Sequence, residues 1–208
     1  MNRLPLLFLG IFLTFVFAWA GLVVYPYLEL GRMEPVTDAA TGDIAPPPLS
    51  GLAEAGQRVY AANGCVYCHS QQVRPAYLST DIAKGLGPRR TVARDYMREH
   101  PAFLGTMRTG PDLTNVGLRF AASWQHQHLY EPAEVTKGSI MPSFRYLYRM
   151  QKIQGVPSAN AITGLTGPHA PRAGYEVVPT REAEALVAYL LSLRRDYPLP
   201  EAPEEPTP

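Results

Sequence analysis

The amino-acid sequence predicts a mainly α-helical protein in which a single N-terminal transmembrane helix precedes one globular domain of ordinary size. Three observations support this prediction. Residues 4–25 carry no charged side chain, the segment after Ser50 and residues 181–195 show helical periodicity, and a C-x-x-C-H motif lies between those two helices. The formal net charge of the 208 residues is +1, which gives no electrostatic reason to expect nucleic-acid binding.

The uncharged segment from Leu4 to Tyr25 is long enough to cross a membrane. Its 22 residues rise about 33 Å as an α-helix, which matches the hydrocarbon core of a bilayer. Arg3 precedes the segment and no basic excess follows it, so the N-terminus is expected in the cytoplasm. A cleaved signal peptide is the alternative, because Ala18-Trp19-Ala20 fits a cleavage site. The apolar run continues beyond that site through Val24, which favours a retained anchor.

The chain divides into an anchor, a stalk, a domain and a tail. Residues 1–28 contain the cytoplasmic N-terminus and the anchor, and residues 29–50 read as a stalk because proline and glycine interrupt any apolar pattern. Residues 51–196 form the domain, with an irregular loop insertion near residues 151–178. Residues 197–208 form an acidic, proline-rich tail.

Two amphipathic helices are predicted at the ends of the domain. Ser50 caps the first, whose apolar face recurs at helical spacing over residues 52–60 and includes Gly56, where another backbone can approach closely. Thr180 caps the second, which has acidic residues in its first turn and ends with arginines at 194 and 195.

Arginines recur at every fourth position between the two helices, at Arg90, Arg94 and Arg98. This spacing predicts one basic face of a helix. A solvated face is the simpler interpretation, and a docking patch for a partner is the alternative.

The C-x-x-C-H motif of Cys65, Cys68 and His69 is the attachment signature of a c-type haem. Two thiols about one helical turn apart each reach one vinyl group of a single porphyrin, and the adjacent imidazole ligates the iron. The chain has no other cysteine, so a structural zinc site lacks its second pair of soft ligands. A redox dithiol and a disulfide are the alternative interpretations, and neither requires the histidine.

A haem iron held by His69 has a sixth coordination position. Met141 is the predicted ligand, because Pro142 biases it to extended backbone in a loop, whereas core methionines usually lie on packing surfaces of helices and strands. Met107 is the next candidate, and a histidine is the least favoured ligand. A methionine ligand suits electron transfer, whereas an open position binds O₂ or NO.

The surroundings of the haem are predicted from residues near these motifs. Residues 110–113 have the Gly-Pro-Asp-Leu form seen in c-type cytochromes, where the carbonyl of the proline, here Pro111, accepts the second ring N–H of the iron-bound histidine. An ordinary turn is the simpler interpretation. Arg74 and Arg108 lie within a few residues of these motifs, so we expect them to pair with haem propionates. A surface arginine without such a partner is the alternative.

Four segments together resemble the monohaem subunit, subunit II, of cbb3-type (C-family) haem-copper cytochrome c oxidases. The most specific segment extends the haem motif through Ser70-Gln71 to Arg74-Pro75, which generic cytochromes c do not share. The four segments, which follow one another in the order typical of that family, are residues 64–75, 107–117, 124–132 and 139–144.

The resemblance implies an anchor followed by a class I cytochrome c-like domain with one covalent haem c, ligated by His69 and Met141. Such a subunit is not catalytic alone. It takes single electrons from a dihaem cytochrome c subunit or a soluble cytochrome c and passes them to a polytopic haem b and copper subunit. That catalytic subunit reduces O₂ and translocates protons. The implied location is the bacterial cytoplasmic membrane, with the haem domain on the periplasmic side.

Two other functions remain open from the residues alone. The cytochrome c subunit of a nitric oxide reductase also has one anchor, one haem and a methionine ligand. A membrane-tethered electron shuttle without a permanent partner has the same site as well.

Overall fold

A computed structural model of the protein describes residues 3–38 and 41–205. Its α-helices are α1 (Leu4–Trp19), α2 (Tyr25–Leu30), α3 (Gly51–Ala62), α4 (Val116–Arg119), α5 (Ala122–Tyr130), α6 (Pro132–Val135) and α7 (Arg181–Ser192). Its strands are β1 (Val36–Thr37), β2 (Ile44–Ala45), β3 (Tyr148–Lys152) and β4 (Tyr175–Pro179). The predicted mainly helical fold is therefore confirmed. The ends of the predicted N-terminal segment and tail, residues 1–2 and 206–208, and stalk residues 39–40 lie outside the described residues.

The N-terminal apolar segment forms one continuous helix, Leu4–Leu30, in which a π turn at Ala20–Val24 joins α1 to α2. We call it the anchor helix. It is long and apolar enough to cross a membrane and none of its central stretch is buried against the rest of the protein. A core helix of a soluble protein is mostly buried, so this exposure fits a single N-terminal membrane anchor. The helix ends at Leu30, two residues beyond the predicted end of the anchor at residue 28.

Both predicted helix caps are present. The Oγ of Ser50 accepts a hydrogen bond from the backbone N–H of Ala53 at 3.2 Å, and the Oγ1 of Thr180 accepts one from Ala183 at 3.3 Å. These bonds fix where α3 and α7 begin. The second helix ends at Ser192, three residues before the predicted end at 195, so its two terminal arginines follow the helix.

The core of the domain lies where α3 crosses α7. Gly56 touches the backbone of α7, because a Cβ atom at this position would lie 1.8 Å from the carbonyl oxygen of Ala185. One turn later the buried rings of Tyr60 and Tyr189 meet edge to face, with their centroids 5.3 Å apart. The close approach that the sequence predicts at Gly56 is confirmed.

Replacing Gly56 with alanine is expected to lower the free energy of unfolding by about 1–3 kcal/mol, because the methyl group must force the two helices apart. Chemical denaturation of the haem-loaded protein measures this change. Gly51→Ala in the same helix is the matched control, since a Cβ atom there meets no atom within 4 Å. Equal stabilities of the two variants would contradict the close crossing.

The stalk and the tail pack against each other. Strands β1 and β2 pair antiparallel, with Val36 opposite Ala45. Ala45, Leu199 and Ala202 are buried together in a small second core, which we call the stalk–tail core. The stalk and the tail, which were predicted as separate segments of the chain, are thus in contact with each other. Proline content indicated irregular backbone correctly but gave no information about these long-range contacts.

The predicted basic helix face is wrong. The three arginines flank or lie in a single 3₁₀ turn, Ala93–Tyr96. The side chain of Arg90 donates to the carbonyl oxygen of Glu201 at 2.8 Å, and Arg94 donates to the Glu201 carboxylate at 2.5 Å. Arg98 donates to the carbonyl oxygen of Pro46 at 2.9 Å. Their partners belong to the stalk and the tail, so the three arginines do not form one face of a helix.

The predicted loop near residues 151–178 begins and ends in a β-ladder. Strands β3 and β4 pair antiparallel from Tyr148 opposite Pro179 to Lys152 opposite Tyr175. Val177 and Val178 are buried, and Glu176, in the same strand, accepts hydrogen bonds from Ser158 in the loop. The irregular-loop prediction is therefore wrong at both ends of the segment. Strand β3 alternates between apolar and polar residues only from Tyr148 to Gln151, and β4 places Val177 and Val178 next to each other, so the pattern is short. The pairing partners are also far apart in the sequence.

Candidate functional site

The C-x-x-C-H motif directly follows α3. Gly64 adopts a φ of 68°, a left-handed conformation that favours glycine, and turns the chain into the 3₁₀ turn Cys65–Tyr67. Cys65 is half-buried and Cys68 is exposed, and both are free thiols. Burial raises the pKa of Cys65 to about 11. Because redox dithiols require a lowered thiol pKa, this environment disfavours the redox interpretation of the motif.

The ring of His69 is oriented by one backbone contact. Its Nδ1 lies 2.7 Å from the carbonyl oxygen of Pro111. A carbonyl only accepts, so Nδ1 carries the proton and the lone pair of Nε2 is left for a metal. Burial lowers the pKa of His69, and the bond to Pro111 opposes that effect only in part. The ring is therefore neutral near pH 7, which is the form that ligates iron.

Gly110 is a site residue that the sequence analysis did not select. A Cβ atom at this position would lie 2.3 Å from the Cε1 atom of His69 and 2.7 Å from its Nδ1 atom. Only glycine therefore lets the backbone lie against the imidazole. Gly105 approaches the same segment from its backbone side, where a Cβ atom would lie 2.5 Å from the carbonyl oxygen of His69.

A buried carboxylate organises the residues after the haem motif. The side chain of Asp81, which is 3 % exposed, accepts bonds from Arg74 at 3.1 Å and from Arg108 at 2.6 Å. Arg108 also donates to the hydroxyl of Ser70 at 2.7 Å, and that hydroxyl donates to Asp112 at 2.6 Å. Burial alone would raise the pKa of Asp81, but the bonds from Arg108 and Arg74 hold it well below its usual range.

The two arginines that we expected at haem propionates thus have carboxylate partners within the protein. Arg74 uses two of its side-chain nitrogens on Asp81, and its side chain is still 47 % exposed. A guanidinium has five N–H donors, so contact with a second acceptor is compatible with this arrangement. The role of Arg74 and Arg108 toward propionates stays a prediction.

The loop that carries Met141 packs against the same core as the haem motif. Met141 and Cys65 are both partly buried against the main hydrophobic core of the domain. The backbone N–H of Phe144 donates to the carbonyl oxygen of Leu129 at 2.8 Å and ties the loop to α5. Met107, the other methionine considered as a ligand, is 57 % exposed. The structure therefore favours Met141 over Met107 as the sixth ligand.

An aromatic stack lies along α5, next to this loop. The rings of Phe120 and Trp124 are 3.7 Å apart and tilted by 12°, and those of Trp124 and His128 are 4.6 Å apart and tilted by 11°. The Nδ1 atom of His128 is buried and has no hydrogen-bond partner among the described residues. Burial lowers the pKa of His128, and the neighbouring His69 lowers it further.

These residues fit a covalently attached haem. Two free cysteines stand at the spacing of the vinyl groups, His69 offers a free Nε2 atom, and a methionine loop packs on the same core. The buried Nδ1 atom of His128 has no hydrogen-bond partner among the described residues, which leaves this ring nitrogen available to a group outside the polypeptide.

Comparison with known families agrees with this geometry. The family described as cytochrome c oxidase, mono-heme subunit/FixO matches residues 2–164, which include the anchor helix, the haem motif, Pro111 and Met141. No protein among the curated sequences matches the chain. Since members of this family carry one haem, the cofactor is a single covalently bound haem c. The chain therefore belongs to the FixO family, the mono-heme subunits of cbb3-type cytochrome c oxidase.

Proposed function

We propose that this subunit passes single electrons through its haem c to the haem b and copper subunit of a terminal oxidase, which reduces O₂. The electrons come from a dihaem cytochrome c subunit or from a soluble cytochrome c. The observation that carries this proposal is the family match across the anchor helix and the haem motif. A membrane-anchored domain with one redox centre needs a second centre to deliver its electrons, and the anchor keeps that partner at high effective concentration.

We assign the haem to four residues of the chain. Cys65 and Cys68 form the thioether links, the Nε2 atom of His69 is the axial ligand on one side, and Met141 is the ligand on the other. The bound haem supplies reversible one-electron oxidation and reduction of its iron. Pro111 fixes the tautomer and orientation of the His69 ring, which strengthens the ring as a ligand.

Met141 and the two arginines near the haem motif are expected to raise the reduction potential of the haem. A methionine ligand raises the reduction potential of a haem relative to a second histidine. Arg74 follows His69 by five residues and Arg108 precedes Pro111 by three, and we propose that they also place positive charge near the propionates. Positive charge near the iron favours the reduced state, so both effects suit a carrier that delivers electrons to an oxidase.

We propose that the protein lies in the bacterial cytoplasmic membrane with its N-terminus in the cytoplasm. The anchor helix supports one crossing, and Arg3 before it with no basic excess after it supports this orientation. The haem domain then lies on the periplasmic side. Covalent attachment of haem to a C-x-x-C-H motif occurs on that side of the membrane, which agrees with the proposed orientation.

Purification through this subunit in mild detergent tests the proposed function. We expect haem b and copper to copurify with haem c, as measured by reduced-minus-oxidised spectra and metal analysis. Haem b with non-haem iron and no copper would instead assign the chain to a nitric oxide reductase. Haem c without any large subunit would leave a membrane-tethered shuttle. Either of the last two results contradicts the oxidase proposal.

A further inference from the structure

Asp112 is a fully buried carboxylate beside Pro111, the residue that orients the His69 ring. Its side chain is 0 % exposed. One of its oxygens, Oδ2, accepts a hydrogen bond from the hydroxyl of Ser70 at 2.6 Å and one from the backbone N–H of Gln72 at 2.8 Å. The carboxylate therefore ties the segment that follows the iron-binding histidine to the segment that contains its proline partner.

Backbone hydrogen bonds join the same two segments. The N–H of Gly110 donates to the carbonyl oxygen of Cys68 at 2.9 Å, and the N–H of Leu113 donates to that of Ser70 at 2.8 Å. The histidine and its proline partner stand between these bonds in the sequence of each segment. The contact between the imidazole and the proline carbonyl thus depends on how firmly the two segments are held together.

Asp112 is fixed at its side chain and at its backbone. The second carboxylate oxygen, Oδ1, accepts a bond from the backbone N–H of Thr114 at 2.9 Å, and the backbone carbonyl oxygen of Asp112 accepts one from Arg119 at 2.8 Å. The Pro111 carbonyl belongs to the planar peptide group that joins it to Asp112. Because Asp112 cannot turn freely, the direction of that carbonyl is fixed as well.

We propose that Asp112 is a positioning residue that keeps the Pro111 carbonyl directed at the His69 ring and thereby lowers the reduction potential of the haem. This inference rests on the proposed ligation of the iron by His69. The hydrogen bond from Nδ1 to the carbonyl makes the imidazole a more basic ligand. Ferric iron carries one more positive charge than ferrous iron, so a more basic ligand stabilises the oxidised state more.

The test uses the full-length, haem-loaded subunit in detergent. Asp112→Asn keeps the shape of the side chain but leaves one oxygen to accept bonds that two oxygens accept in the unmodified protein. Ser70→Ala keeps the carboxylate and its charge but removes one donor. Asp95→Asn is the matched control, because Asp95 has an equally unexposed side chain that accepts bonds from Arg89 and from the backbone N–H of Val92.

Two measurements report on the axial imidazole: the midpoint potential of haem c, and the electron paramagnetic resonance g values of the oxidised haem, which depend on the orientation of the ring. We expect Asp112→Asn to raise the potential and to shift the g values. Ser70→Ala should raise the potential by a smaller amount. Asp95→Asn should change neither quantity, although it removes a buried charge from its own partner.

Three results would overturn the proposal. The first is an unchanged potential in loaded Asp112→Asn. The second is a raised potential in Asp112→Asn with no change in Ser70→Ala, which would leave only the lost negative charge as the cause. The third is an equal shift in Asp95→Asn, which would indicate a general loosening of the fold. If Asp112→Asn yields no haem-stained protein on a denaturing gel, Ser70→Ala decides: a raised potential supports the proposal and an unchanged one contradicts it.

His69→Ala separates this inference from the ligation on which it rests. If this variant keeps the low-spin spectrum and the potential of the unmodified protein, His69 is not the ligand, and both the ligation and the role of Asp112 fail. If the low-spin spectrum is lost in His69→Ala while Asp112→Asn and Ser70→Ala leave the potential unchanged, only the role of Asp112 fails.

Discussion

Replacing Gly110 with alanine is expected to remove most of the correctly ligated haem. The new methyl group would lie 2.3 Å from the Cε1 atom of His69, so the imidazole or the backbone that carries Pro111 must move. Such overpacking costs about 1–3 kcal/mol. Because about 1.4 kcal/mol is a factor of ten in an equilibrium, the correctly placed ring should become at least several times rarer. The ratio of haem stain to subunit protein on a denaturing gel, and the low-spin spectrum of the loaded fraction, measure this loss.

Thr109→Ala is the matched control for this experiment. Thr109 is the exposed neighbour of Gly110, so its truncation leaves the turn and the ring contact intact. We expect the control to load haem like the unmodified protein. Full loading and an unchanged low-spin spectrum in the Gly110→Ala variant would show that the backbone does not lie against the His69 ring.

The second large effect is expected from Asp81→Asn, which should lower the free energy of unfolding by about 1–3 kcal/mol, because the bonds that it weakens are to charged groups. The change removes a buried charge from two arginines while keeping the shape of the side chain. Most of the cost comes from Arg108, which is 23 % exposed, because solvent screens the more exposed Arg74. Glu54→Gln, which breaks the exposed pair with Arg58, is the control and should cost at most about 0.5 kcal/mol.

The contribution of Asp81 to the free energy of unfolding should also decrease as the pH is lowered. Its pKa in the folded protein lies below the ordinary value of 3.8, so folding favours the charged form. The stabilisation is complete above the ordinary pKa and is lost as the pH falls below it toward the folded pKa. The difference in unfolding free energy between the unmodified protein and Asp81→Asn should therefore shrink on acidification. A difference that stays constant as the pH falls through this window would contradict the pairing.

Features of the fold that depend on local sequence could be predicted. The caps at Ser50 and Thr180 and the close crossing at Gly56 follow from residue types a few positions apart, and the structure contains all three. The pairing of β3 with β4 and the packing of the tail on the stalk could not be predicted, because they join residues that are distant in sequence.

Some residues of the candidate site could likewise be predicted from the sequence, and others could not. The motif of Cys65 to His69 is a contiguous string, and its chemistry could be read directly from the spacing. Asp81 has no motif of its own, so its position between Arg74 and Arg108 became visible only in the folded chain. The sequence did offer a signal for Gly110, a glycine directly before the proline expected to contact the iron-bound histidine. The reason for a glycine there requires the position of the imidazole ring.

The stalk–tail core has a consequence for how electrons reach and leave this subunit. Arg94 binds the backbone of Glu34 and the carboxylate of Glu201, and Arg98 binds Pro46, so the stalk is fastened to the haem domain almost from its beginning. Only residues 31–33 lie between the anchor helix and the first of these bonds, a span on the order of 10 Å at full extension. If the anchor helix crosses the membrane as proposed, a tether of this length allows the haem domain little movement relative to the bilayer surface. We therefore expect the distance from the haem to its proposed redox partner to depend on this short connection rather than on a diffusive search.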